Sequence, residues 1–158
     1  MRNKIQDINS LQTIVQTLKQ GGKTLVFTNG CFDLIHVGHI RYLYRARSFG
    51  DILIVAVNSD SSVRQLKGEN RPIINERERA ELLSALEMVD YVFIFDELTC
   101  SNVIKEIKPD VYVKGGDYTL ETLPEWPVVK ELGSRVELVK EVKGKSTTEI
   151  INKIKSHT

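Results

Sequence analysis

Apolar residues recur along this chain in two alternating rhythms. Leu11, Ile14, Val15 and Leu18 fall at helical spacing, and Gly21-Gly22 closes that helix. Thr24-Leu25-Val26-Phe27-Thr28 is apolar without helical gaps and reads as a buried strand. Ile40, Leu43, Tyr44 and Arg47 return to helical spacing and stop at Gly50. Ile52 to Val57 is apolar on both faces, the pattern of a central parallel strand. Asn75 with Glu78 three residues on resembles a capping box, and Leu82, Leu83 and Leu86 continue that helix. Tyr91 to Phe95 reads as a third strand, Val111 to Val113 as a fourth and Val136 to Val139 as a fifth. A helix from about Ser101 to Ile107 ends before Pro109, and a last helix covers about Thr147 to Ile154.

Strands alternating with helices predict an α/β fold: one domain over residues 1–158, with a doubly wound parallel five-stranded sheet. Such sheets bind ligands outside the carboxyl ends of their strands. Polar clusters fall at those ends: Thr28 to His39, Asn58-Ser59-Asp60, Phe95-Asp96-Glu97 and Lys114-Gly115-Gly116-Asp117. The composition, 41% hydrophobic and 27% charged, suits one compact core. A net charge of +1 gives no bulk basic field for nucleic acid. Cys31 and Cys100 have neither metal-ligand nor disulfide spacing, which fits a reduced, cytoplasmic setting. No signal-peptide core opens the chain, and its longest apolar run is too short to span a membrane.

The chemistry concentrates in Gly30-Cys31-Phe32-Asp33-Leu34-Ile35-His36-Val37-Gly38-His39. His36 and His39 lie three residues apart, on one face of a helix start, beside free N–H groups. Imidazoles there can donate to phosphate oxygens and stabilise a five-coordinate phosphorus. Gly38 lets the backbone approach a phosphate closely. Spacing alone leaves two alternatives: ordinary helix-start hydrogen bonds, or a metal site that lacks the usual third ligand. No G-x-G-x-x-G follows the first strand, which argues against a dinucleotide-dependent oxidoreductase. Cys31 has no evident base and reads as structural.

The Gly30-to-His39 stretch, with its His-x-Gly-His core, and Ser146-Thr147-Thr148 at the start of a late helix resemble the two signatures of the cytidylyltransferase-like nucleotidyltransferase superfamily. The resemblance implies a Rossmann-like sheet and transfer of a nucleotidyl group to a phosphorylated acceptor, with release of pyrophosphate. Thr28 to Asp33, Val57 to Asp60, Leu66-Lys67-Gly68, Arg71-Pro72 and Val113 to Tyr118 narrow it. Together they resemble the adenylyltransferase domain of ADP-heptose synthases, in a stand-alone form that depends on a separate kinase. That family uses ATP, with Mg2+, and D-glycero-β-D-manno-heptose 1-phosphate; the resemblance also suggests a homodimer. Two alternatives are a cytidylyltransferase acting on glycerol 3-phosphate and a non-catalytic nucleotide-binding module.

Carried over residue by residue, the resemblance implies catalytic roles for His36, His39 and Lys67. It implies nucleotide or phosphate binding by Thr28, Asn29, Gly30, Phe32, Gly38, Arg79, Gly115, Asp117, Ser146, Thr147 and Thr148. Asp33, Asn58, Asp60 and Arg71 are candidates for the acceptor side. The bland readings are a solvated Lys67 in a loop, an Arg79 ion pair with Glu76, a turn-fixing Asp33, and N-capping by Ser146. Two stretches depart from the pattern. Lys143 and Lys145 stand where related cytidylyltransferases carry an arginine, and residues 119–127 differ from the heptose enzymes.

Overall fold

The structure, a computed structural model, describes residues 3–158. Its sheet comprises β1 (Leu25–Gly30), β2 (Ile52–Asn58), β3 (Tyr91–Phe95), β4 (Val111–Gly115) and β5 (Arg135–Val139). All pairings are parallel, in the order β3-β2-β1-β4-β5. The helices are α1 (Ile8–Gln20), α2 (Val37–Arg47), α3 (Asp60–Lys67), α4 (Glu76–Ser84), α5 (Ser101–Ile107), α6 (Trp126–Leu132) and α7 (Thr147–Lys155). None of them is long and apolar enough to cross a membrane.

Two apolar clusters sandwich the sheet. Leu43 and Ala46 of α2 and Ala80 and Leu83 of α4 pack on one face, against Val26, Leu53 and Val55. Leu11 of α1, Ile104 of α5 and Val128 and Val129 of α6 pack on the other, against Phe27, Ile54 and Tyr112. Alternate residues of β1 to β4 thus serve opposite cores, which is why those strands read as continuous apolar runs, whereas edge strand β5 alternates Val136 and Leu138 with the charged Arg135 and Glu137. From β1 the chain winds outward to β2 and β3 over one face. It returns through α5 to β4 and moves on to β5 over the other face. Strand order reverses between β1 and β4, and the crevice above their carboxyl ends is the expected binding place.

The structure corrects the sequence reading in three places. β1 runs on to Gly30, so Asn29 and Gly30 belong to the sheet. Lys67 is not in a loop: it is the last residue of α3, whose N-cap Ser59 accepts a hydrogen bond from Ser62 N–H. Helix α3 offers only Val63 and Leu66 as apolar residues, too few to mark a stripe along the sequence. Helix α6, with Pro127 in its first turn, is the crossover between β4 and β5 that the sequence pattern did not reveal. At α4 the Asn75 cap is present: its side-chain oxygen accepts from Arg77 and Glu78 N–H.

Candidate active site

A cleft of about 950 Å³ opens over the carboxyl ends of β1 and β4. His36 and His39 form part of its wall, with ring centroids 4.0 Å apart. His36 is the N-cap of α2. Its Nδ1 accepts from Gly38 N–H at 3.1 Å, while His39 Nδ1 accepts from His36 N–H at 3.3 Å. Both Nδ1 atoms are therefore acceptors, and each neutral ring carries its proton on Nε2. Burial, with a smaller push from His36, takes the His39 pKa down to about 4. Burial also lowers that of His36, against the opposing pull of Glu141 and Glu149. At neutral pH the pair presents two uncharged Nε2–H donors.

The neighbours of the pair are sterically tuned. A Cβ on Gly38 would meet His36 Cε1 at 2.8 Å and Lys145 O at 3.2 Å, so only glycine lets the ring fold back over the helix start. Phe32, at φ 49°, packs its ring 5.4 Å from that of His39. A Cβ on Gly30 would lie 3.1 Å from the Phe32 ring. Gly115 leaves room for Tyr42, whose hydroxyl bonds Thr28 Oγ1 at 2.5 Å and donates to Val113 O at 3.2 Å.

Across the mouth, Ser146, Thr147 and Thr148 begin α7 and line the same cleft. Ser146 is held in a reciprocal capping box with Glu149, and Thr147 Oγ1 donates to Leu34 O. The first N–H groups of α7 thus face the side of the cleft where the histidines stand. Lys67, Arg71, Lys114, Lys140 and Lys145 add positive charge to the wall. Burial still keeps the Cys31 thiol above its usual range despite Lys67, Arg71 and Lys114, so it is a protonated bystander. The cleft combines neutral donors, a helix start and several cations, a set suited to a polyphosphate.

A family model described as cytidylyltransferase-like matches residues 27–157. The chain belongs to that family. Its members here include a bifunctional protein HldE of Geotalea uraniireducens, 57% identical over 97% of this chain, and one of Geobacter metallireducens, 56% identical over 96%. The chain spans about a third of the length of those relatives, 31% in each case. A lipopolysaccharide core biosynthesis protein from Thermoplasma volcanium is 32% identical, with a TM-score of 0.64 over 78% of this chain and all of its own. Pantoate-beta-alanine ligase from Francisella tularensis shares the fold at 19% identity, TM-score 0.59, over 96% of this chain and 77% of its own. The described residues form one α/β Rossmann-like domain of this cytidylyltransferase-like family.

Most residues singled out from the sequence of this cytidylyltransferase-like chain meet at the cleft: Asn29, Gly30, Phe32, Asp33, His36, Gly38, His39, Asn58, Lys67, Arg71, Gly115, Asp117 and the α7 start. Three do not. Thr28 is fully buried and spends its hydroxyl on Tyr42. Arg79 is fully buried; it donates to Ile74 O, Cys31 O and Asn58 O and pairs with Asp60 Oδ1 at 2.8 Å. Arg79 is therefore not a phosphate ligand, nor does it pair with Glu76. It clamps the ends of β1 and β2 to the α4 start, and it holds Asp60 away from the cleft. Glu76 instead accepts from Asp60 N–H.

Asp33 lines the cleft but has no free oxygen for a substrate. It accepts from Arg71 Nε at 2.7 Å and from the N–H groups of Ile73 and Ile74. Burial pulls its carboxyl upward, but those backbone N–H groups and Arg71 outweigh it and hold it below the ordinary carboxylate range. Its task is to fix Arg71 and the following loop, far from it in sequence.

Sequence reasoning missed Tyr42, Lys114 and Glu125, all on the cleft wall. Lys114 was visible only as part of a polar cluster. Glu125 was visible only as part of the departing 119–127 stretch, in a loop before an unread helix. Lys145, one of the two lysines noted as standing in for an arginine, lines the cleft; Lys143 does not.

Proposed function

We propose that this nucleotidyltransferase moves AMP from ATP to a sugar 1-phosphate, D-glycero-β-D-manno-heptose 1-phosphate, giving ADP-heptose and pyrophosphate. The observation that carries the transfer chemistry is the histidine pair: two neutral Nε2–H donors, oriented by backbone, at the switch point of the sheet. The heptose acceptor is supported by the resemblance of the 113–118 and 28–33 stretches to ADP-heptose synthases. It is supported too by relatives called HldE and lipopolysaccharide core biosynthesis protein.

In this reading an oxygen of the acceptor phosphate attacks the α-phosphorus of ATP in line. The bond from that phosphorus to the β-bridging oxygen breaks, and pyrophosphate leaves with the electron pair. No protein nucleophile and no net proton transfer are needed. His36 and His39 donate to the α-phosphate oxygens as charge builds on them. The N–H groups of Thr147 and Thr148 take the β- and γ-phosphates, and Lys67 and Lys145 neutralise them. Gly115 borders the nucleoside, with Asp117 at the rim, and Asn29 lies toward the acceptor side. Arg71, held by Asp33, and Asn58 face the acceptor phosphate.

Mg2+ enters with ATP and neutralises the leaving pyrophosphate. Among the cleft carboxylates, Asp33 is saturated, whereas Asp117 and Glu141 are exposed at the rim, and each can offer an oxygen to such an ion. A cytoplasmic homodimer belongs to the same reading, and sedimentation checks the dimer. The function is tested by pyrophosphate release from purified protein with MgATP and heptose 1-phosphate. Release is expected there; strong release only with CTP and glycerol 3-phosphate would sink the heptose assignment.

A further inference from the structure

One group on the cleft wall has no part in the phosphate chemistry. Glu125 precedes α6, in the 119–127 stretch that departs from the heptose enzymes. Helix α6 packs on the sheet face opposite α2, so Glu125 borders the cleft from the side away from the histidines. Its side chain is 3% exposed. Lys114 Nζ stands 3.7 Å from Oε1, long for an ion pair, and Oε2 is buried with no hydrogen-bond partner among the described residues. The Tyr112 hydroxyl lies within hydrogen-bonding reach of the Glu125 carboxylate, which joins burial in pushing the phenol upward, but it donates its only proton to Asn29 Oδ1 at 2.6 Å. Turning the Asn29 amide over would pass that proton to Glu125, and the carboxylate would still have one close donor for four lone-pair sites.

A buried carboxylate this poorly satisfied costs stability in the free protein. What satisfies it must bring donors or a cation, and no group of three metal-ligating side chains surrounds it among the described residues. Phosphate oxygens carry no donors and are repelled. A nucleobase wants a flat apolar slot, whereas this wall sets an acceptor (Glu125) beside donors (Lys114 and the Asn29 amide). Hydroxyl groups, each giving and taking a hydrogen bond, fit that alternation. Leu98 and Pro124 border it with apolar surface for the C–H side of a sugar.

We propose that Glu125, with Lys114 and Asn29 beside it, binds adjacent hydroxyls of the acceptor sugar and sets the preference of the cleft for a polyol phosphate. The proposal rests on the reading of the acceptor as a sugar 1-phosphate. The test is Glu125→Gln in the full chain, which keeps the shape and removes the charge. The KM for heptose 1-phosphate should rise roughly 10- to 100-fold, as for a lost hydrogen bond to a charged group. The KM for ATP should stay within about twofold, and the melting temperature should hold or rise because a buried deficit is gone. Acceptor analogues lacking one hydroxyl should lose efficiency with the wild type and much less with the variant.

A raised KM for ATP would assign Glu125 to the nucleotide and overturn the proposal. So would a lowered melting temperature with both KM values unchanged, the mark of a structural role. A wild-type protein inactive on every sugar 1-phosphate refutes the function reading and this one with it. An active wild type whose variant keeps its acceptor KM refutes this one alone.

Discussion

Replacing Gly38 by alanine tests the histidine geometry without touching a histidine. The added methyl would sit 2.8 Å from His36 Cε1 and 2.9 Å from Nδ1, against an ordinary contact of about 3.5 Å. The ring must shift by at least about 0.6 Å by that comparison. It cannot shift freely, because the His39 ring lies 4.0 Å away, centroid to centroid. The backbone cannot absorb the clash either, since Lys145 O stands 3.2 Å from the same methyl. Two stability effects oppose each other. Alanine in place of glycine in a helix gains about 1 kcal/mol. Losing the Gly38 N–H to His36 Nδ1 cap costs about 1 kcal/mol. The fold should therefore survive with its urea midpoint nearly unchanged. Turnover should not survive, because a displaced transition-state donor is worth roughly 100- to 1,000-fold. The assay is steady-state pyrophosphate release, with the His36→Ala and the double variant alongside. If Gly38 acts only through His36, the double variant is no slower than His36→Ala. Near-normal turnover in Gly38→Ala, or additive losses in the double variant, would refute the reasoning.

Three further outcomes follow from the same structure. The His39 pKa, about 4 folded against 6.5 unfolded, means the unfolded chain binds more protons between those values, so stability falls as pH drops. Between pH 7.5 and 5 the unscreened figure is about 2 kcal/mol, or roughly 1 after solvent screening, and wild type should lose that much more than His39→Gln in urea titrations. Equal losses would remove the claim that burial holds the ring neutral. Arg79→Met strands Asp60 and three backbone carbonyls, and should cost about 3–5 kcal/mol with little change in the KM for ATP. Unchanged stability with a raised KM for ATP would restore Arg79 as a phosphate ligand. Asp33→Asn should loosen Arg71 and the Ile73-Ile74 loop, lowering stability by about 2 kcal/mol and raising the acceptor KM severalfold. An unaltered acceptor KM would show that Arg71 does not need Asp33.

Local signals carried as far as local causes reach. Strands β1 to β4 were legible because each serves two cores and must be apolar on both faces, and β5 because it alternates. The histidine pair was legible because its chemistry depends on a three-residue spacing and one glycine. Helices α3 and α6 were not: α3 offers only Val63 and Leu66 as apolar residues, and α6 opens on Trp126-Pro127, where the proline reads as a break.

The sequence by itself determined the parallel α/β sheet, the rim on which the polar clusters gather, and the two histidines with the α7 start as candidate phosphate groups. Only the tertiary structure decided what each charged side chain faces. Arg79 and Arg71 look alike as letters in a chain. One is walled in by three carbonyls and Asp60, while the other is held at the cleft by Asp33. Glu125 acquires its character from Lys114 and Tyr112, residues on another element. Helical and strand periodicity is set by neighbours a few residues apart. The fate of a charge is set by burial and by partners tens of residues away, and these exist only once the sheet has formed.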